Sequence, residues 1–159
     1  MAAPTHTARS TPGGKMLKDG YSTKIAFAAD PDVSLWEKTV QPPGLDGGDA
    51  IDITTMHNTT LRTFAPRSLQ TMTEMQLTCA YDPRVMPQLL ALINVETTVT
   101  VHYPNGDRLS FFGFLKNVDP SENTEGEQPE MTATIVPTNT DPSTGAEEDF
   151  AYDELHTGT

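Results

Sequence analysis

Residues 96–115 read ETTVTVHYPNGDRLSFFGFL. Val99, Val101 and Tyr103 alternate with Glu96, Thr98, Thr100 and His102, the period-two pattern of a strand buried on one face. Pro104-Asn105-Gly106 then turns the chain, because Asn-Gly tolerates the positive φ that a tight hairpin requires, and residues 107–115 return as the partner strand. This hairpin predicts an antiparallel, mainly β fold. In the returning strand Leu109, Phe111 and Leu115 share one face while Phe112 and Phe114 occupy the other, so both faces need cover. An antiparallel sheet with one packed and one solvated face does not supply it.

The same alternation extends to both sides of the hairpin. Thr73, Met75, Leu77, Cys79 and Tyr81 oppose Glu74, Gln76, Thr78 and Ala80, which predicts a half-buried strand over 71–81. Asp82-Pro83 follows as an N-cap and first-turn proline. Val85, Met86, Leu89, Leu90, Leu92 and Ile93 then form the apolar stripe of a short helix, with Pro87 delaying its regular part to about Met86 and Asn94 as its stop. Residues 130–137 predict a final strand with Met131, Ala133 and Ile135 inward. Residues 23–28 and 35–40 read as two short strands around an Ala-Asp-Pro-Asp turn, which predicts a second hairpin. Residues 41–58, QPPGLDGGDAIDITTMHN, are crowded with proline, glycine and aspartate and predict a long irregular loop, the kind that carries function. The expected architecture is six or so antiparallel strands and one flanking helix in a β-sandwich or open barrel. Its open edges invite pairing with other copies.

The 159 residues suit one core domain over 21–140, with a Pro, Gly, Thr and Ser-rich arm at 1–20 and an acidic tail at 141–159. Net charge is −12, and residues 117–159 contain Asp119, Glu122, Glu125, Glu127, Glu130, Asp141, Glu147, Glu148, Asp149, Asp153 and Glu154 without one Lys or Arg. Such a field repels phosphate backbones and argues against tight nucleic-acid binding. No apolar run approaches the roughly 20 residues of a membrane helix. The N-terminal sequence lacks a secretory signal pattern, which predicts synthesis completed in a cytoplasm. Cys79 sits within an apolar alternation and reads as a buried small hydrophobe.

Signatures of catalysis are sparse. His6, His57, His102 and His156 are dispersed, and no HExxH, CxxC, phosphate-cradling loop or GxSxG turn occurs. Asp46, Asp49 and Asp52 are the sharpest metal candidates, but their spacing is not that of an EF-hand and favours turn formation. Glu122, Glu125, Glu127 and Glu130 read as solvated loop charge rather than as a glycosidase pair. Trp36, the only tryptophan, reads as a packing or interface anchor. No catalytic residue, metal or cofactor is expected.

Six segments in order resemble the major tail tube proteins of long-tailed, non-contractile bacteriophages. They are Trp36-Glu37, PPGLDGGDAIDITTMHN (42–58), RTFAPRSL (62–69), AYDP (80–83) leading into LLALIN (89–94), YPNGDRLSFFGFL (103–115) and EGEQPEMTATIVPTN (125–139). The resemblance covers roughly residues 22–140 and leaves the N-terminal arm and acidic tail unmatched. It implies a β-sandwich with a flanking helix whose copies form six-membered rings. Sheet edges would join into a continuous barrel, and rings would stack into a virion tail tube assembled in the host cytoplasm. The implied partners are other copies, the tail tip or baseplate, the tape measure and the terminator. DNA passes through the lumen without specific binding.

On that reading Pro43, Leu45, Asp46, Asp49, Ile51, Met56 and His57 are the expected inter-ring contacts. Trp36, Phe112 and Phe114 are the expected subunit interface, and Glu74, Glu96 and Glu130 the expected lumen residues. A secretion-system tube subunit of the same architecture is the nearest alternative. A monomeric β-sandwich that binds carbohydrate or a cell surface through the long loop and Trp36 is the next, and an enzyme is third.

Overall fold

The computed structural model describes residues 22–104 and 106–153. The arm at 1–20, His6, Asn105 and His156 lie outside them. One main antiparallel sheet is built from β1 (Lys24–Phe27), β2 (Glu37–Gln41), β7 (Met75–Ala80), β8 (Thr97–His102), β9 (Arg108–Pro120) and β10 (Glu130–Pro137). The strands lie in the order β1-β8-β9-β10-β7-β2. β8 and β9 form the expected hairpin, Thr97 opposite Gly113 through His102 opposite Arg108. Its turn is closed by Tyr103 N–H on the Asp107 carbonyl and Gly106 N–H on the Tyr103 carbonyl. Gly106 has φ +96°, a conformation costly for a side-chain-bearing residue. β10 is bounded as expected, with Met131, Ala133 and Ile135 buried. β9 runs further than expected, to Pro120, pairing with β8 in its first half and with β10 in its second.

The predicted hairpin between residues 23–28 and 35–40 does not form. β1 pairs with β8 and β2 with β7, which places them at opposite edges of the sheet. The Asp-Pro turn is real, since Asp32 N–H donates to Asp30 Oδ1 at 3.3 Å. The chain leaving it buries Val33 and Leu35 in the core instead of pairing back. Burial of two apolar side chains outweighs a local ladder that long-range pairing replaces in full.

Laid flat, six strands at about 4.8 Å spacing would hold the two edges roughly 24 Å apart. Ile25 N–H nevertheless donates to Glu37 Oε1 at 2.9 Å, so the sheet curls until β1 meets β2. A carboxylate, not a backbone ladder, bridges that seam, which makes the fold the expected open barrel. Its inner face holds Ile25, Phe27, Met75, Leu77, Cys79, Val99, Val101, Leu109, Phe111, Leu115, Met131 and Ile135, all buried. Burial, and secondarily the charge of Glu37, pushes the Cys79 thiol up to about 12, so it is protonated at neutral pH.

The helix α1 (Met86–Leu92) begins at the residue expected and buries Leu89 and Leu92. Asp82 is not its cap. Its Oδ1 accepts Arg84 N–H at 2.9 Å, and its carbonyl accepts Val85 and Met86 N–H, which makes a turn ahead of the helix. Asn94, at φ +61°, ends the helix and donates its N–H to the Leu115 carbonyl. No helix among the described residues is long and apolar enough to cross a membrane.

Past Pro137, the segment read as an acidic tail from residue 141 carries a further strand over its described part. β11 (Ala151–Asp153) pairs with Arg108–Ser110 of β9, and Phe150 meets Phe111 edge-on with ring centroids 5.9 Å apart. The expectation of 130–137 as the last strand failed because the acidic context masks a short Phe-Ala-Tyr apolar element.

Candidate assembly surfaces

The predicted loop at 41–58 is irregular over most of its length, as expected, with two short strands of two residues each that the sequence did not mark. It forms one limb of a projecting hairpin arm over residues 44–73, and the other limb, residues 59–73, was not anticipated. Gly44 and Thr73 close its root, Thr73 N–H donating to the Gly44 carbonyl at 2.9 Å. Next come β3 (Leu45–Asp46) against β6 (Thr71–Met72), then β4 (Ile51–Asp52) against β5 (Phe64–Ala65), each antiparallel. Ile53 N–H on the Thr63 carbonyl extends the ladder. Asn58 ties the tip, its Nδ2 reaching the Leu61 carbonyl at 3.0 Å and its Oδ1 accepting Thr55 N–H at 2.9 Å. From Gly44 to Ile53 such a limb spans on the order of 30 Å at strand rise.

Two carboxylates of the metal candidate, those of Asp46 and Asp52, are engaged within this scaffold, and Asp49 is held through its backbone. Asp46 Oδ1 accepts Gly48 N–H at 2.8 Å, and Asp52 accepts Thr54 N–H and Arg62 Nη1. Asp49 offers its backbone carbonyl to Arg67 Nε at 2.8 Å. The Thr54 contacts, with Arg62 further behind, hold the Asp52 carboxyl below its ordinary value. Among the described residues no group of three or more His, Cys, Asp or Glu is placed to hold a metal ion. Arg62 and Arg67, spaced to answer Asp52 and Asp49 across a ladder, are the signal that identifies the second limb.

Leu45, Ile51, Ile53, Met56, Leu61, Phe64 and Leu69 all stand exposed on this arm, Met56 at 101% and Leu61 at 79%. A lone two-stranded hairpin is marginal in water, and so much unburied apolar surface marks a contact site. Of the residues expected at an inter-ring contact, Leu45, Asp46, Asp49, Ile51, Met56 and His57 lie exposed on the arm. Pro43 does not, being buried just ahead of its root.

Trp36 leads into β2 and is 61% exposed. Its Nε1 donates to Asp82 Oδ2 at 3.3 Å, and Arg84 grips the same carboxylate through Nε and Nη2, each at 3.2 Å. Arg84, by side chain and then by backbone amide, holds the Asp82 carboxyl below the usual carboxylate range. A depressed folded value contributes stability that is present above the unfolded carboxylate pKa and lost as pH falls through the folded one. Acid titration of Trp36 fluorescence should therefore show a midpoint below the ordinary carboxylate range, and Asp82→Asn should abolish that step. A midpoint at the ordinary value would show the clamp absent in solution.

Phe112 and Phe114 are half-buried on the face opposite Phe111, across from Thr98 and Val136. They sit on the sheet's outer face, which elsewhere carries Gln76, Thr78, Thr132 and Thr134. Two of the expected lumen residues belong to this face but stand apart. Glu74 precedes β7, whereas Glu130 faces Ala80 at the other end of that strand, roughly 20 Å away at strand rise. Each is ion-paired, Glu74 with Lys116 at 3.0 Å and Glu130 with Lys38, so neither presents a bare negative charge. Glu96 is exposed ahead of β8, beside the arm's root. Glu122, Glu125 and Glu127 lie exposed in the loop before β10. His57 is exposed near the arm tip, and His102 is half-buried on β8.

No protein-family model and no curated protein sequence matches the chain. Solved structures do match it in fold. A chain from the tail of an empty gene transfer agent particle, refined with C6 symmetry, superposes with TM-score 0.61 at 6% identity, covering 87% of this chain and 100% of that one. A chain of the six-fold symmetrised baseplate of the anti-feeding prophage gives TM-score 0.63 at 7% identity over 92% and 99%. A chain of the extended sheath–tube complex of an extracellular contractile injection system gives 0.59 at 10% identity over 93% and 100%. The chain therefore has the fold found in tail, baseplate and sheath–tube assemblies of phage-like particles.

Proposed function

We propose that this chain is a structural, non-catalytic subunit whose copies close into six-membered rings and stack into a tail tube, the conduit for genome delivery. One observation carries the reading: an apolar arm over 44–73 projects from a core that is already complete without it. A monomer gains nothing from such an arm, whereas a repeating head-to-tail contact buries it in every copy. The seam between β1 and β2, which the Glu37 carboxylate bridges in place of a backbone ladder, leaves two strand edges for neighbouring copies to complete. The outer face of β7 and β10, threonine and glutamine with ion-paired ends, suits a wall past which DNA slides, since it offers phosphates no free cation. The virion tail is the matching location, with tail tip or baseplate, tape measure and terminator as the partners of such a tube.

Electron microscopy of the purified chain at rising concentration tests this. Rings or hollow filaments are expected, and a monodisperse monomer at every concentration, with tail-initiating components added, would refute it. A tube that carries protein cargo in a contractile injection system is the second reading. It is favoured by the similarity in fold to the injection-system chain.

A further inference from the structure

A groove of about 790 Å³ runs between the root of the arm and the segment after β10. Leu45, Leu69 and Met72 give it an apolar wall, and Glu96, Glu147, Glu148 and Asp149 line it with carboxylates. No lysine or arginine is among the described residues that line it. The acidic side is held in place by backbone pairing: Glu148 N–H donates to the Asn139 carbonyl at 2.8 Å, and Asp141 N–H to the Ala146 carbonyl at 2.9 Å. Leu69 is 84% exposed and Leu45 48%, so the apolar wall lacks a partner within the described chain.

The chain itself contains a segment of complementary chemistry. Residues 9–18 read RSTPGGKMLK, with Arg9, Lys15 and Lys18 as cations and Met16-Leu17 as an apolar pair between the two lysines. This is the reverse of the chain's overall balance of −12. We propose that the groove receives residues 9–18 of a second copy, Met16 and Leu17 against Leu45, Leu69 and Met72, and the lysines against the carboxylates.

Strand direction favours a second copy over the same one. β1 begins at Lys24 opposite His102, whereas the groove borders Glu96, at the other end of β8. Residues before Lys24 thus join the sheet about 20 Å from the groove at strand rise, close to the roughly 25 Å full reach of the seven residues back to Leu17, so the same copy would have no slack to seat the pair. In a head-to-tail stack the entry end of one copy faces the groove end of the next. The inference rests on the tube reading for that geometry, and a desolvated apolar pair flanked by charge pairs gives both affinity and register.

Two full-length preparations test it, one carrying Lys18→Cys and the other Glu147→Cys, with the native Cys79 buried. Mixed and oxidised at assembly concentration, they should yield a disulfide-linked pair containing one of each. Separately, Lys15→Glu with Lys18→Glu should raise the critical assembly concentration about three- to tenfold, as expected for two exposed ion pairs. Glu147→Lys with Glu148→Lys should do the same, and combining both sets should restore it. Filaments that form without the cross-link, or charge reversals whose losses add, overturn the groove assignment and leave the tube reading intact. An internal disulfide in dilute double-cysteine monomer also overturns it, as an intramolecular contact. A chain that never forms filaments sinks the tube reading, and the two-copy cross-link, which needs only encounter, then decides the groove alone.

Discussion

A chain carrying Met56→Asp and Leu61→Asp is expected to melt within about 2 °C of the parent, as exposed substitutions do, and to form no filaments at a hundredfold higher concentration. Both side chains are exposed in the isolated chain, so neither contributes to the core that sets its melting temperature. If stacking buries them, each contributes about 1.5–3 kcal/mol to association. Losing both therefore weakens every contact by about 3–6 kcal/mol, a hundredfold or more in equilibrium constant, and the new carboxylates add a desolvation cost. Sedimentation velocity alongside a thermal melt separates the two effects. Filaments at the parent concentration would show that the arm is not the stacking contact, and a large fall in melting temperature would show that it packs on its own domain.

Phe111→Ala should have the opposite profile, a loss of about 3–5 kcal/mol of folding stability through a cavity in the sheet's buried face. Phe111 is 2% exposed, faces Val99 across β8 and meets the ring of Phe150. That loss is a large fraction of the roughly 5–15 kcal/mol that holds a typical domain. Phe150→Ala removes the other half of the ring pair from a half-buried position and should cost only about 0.5–1.5 kcal/mol beyond its area. Its more telling effect is to free β11, which pairs with only Arg108–Ser110. Urea titration of both variants, with limited proteolysis over 138–153, checks the contrast. Equal losses for both would mean that the acidic segment is integral to the core.

The two profiles divide the chain into a core that stands alone and appendages that do not. The core is the part legible from local pattern. β7, β8 and β10 alternate apolar and polar residues over their length, and the 104–106 turn fixes the register of β8 on β9. α1 is legible for the same reason: its stripe and Pro87 together mark its first residue. Misreadings cluster where a local signal competes with distant burial. The turn at 29–32 forms, yet the strands on either side of it go to opposite edges, because β8 and β7 replace the local ladder in full while the chain between them buries Val33 and Leu35.

The arm is a different case. Proline, glycine and aspartate at 42–52 mark a segment unsuited to a core, but they do not say what it pairs with. β3 to β6 have two residues each, too few for alternation to register, and are set by cross-strand contacts such as Arg62 with Asp52. The electrostatics of the candidate lumen charges are likewise not legible locally. Glu74 and Glu130 are acidic in sequence, but Lys116 and Lys38, 42 and 92 positions away, neutralise them in space.

Sequence by itself determined the fold class, the long β8–β9 hairpin, the inward faces of the strands and the helix start, since each follows from side-chain periodicity and turn chemistry within a few residues. Tertiary structure alone decided which strands became edges, that the edges meet through Glu37 and Ile25, that 44–73 forms an arm, and that an acidic segment returns to β9. Those outcomes depend on which distant groups compete for the same backbone partners and apolar surface, a competition settled only when the whole chain is folded.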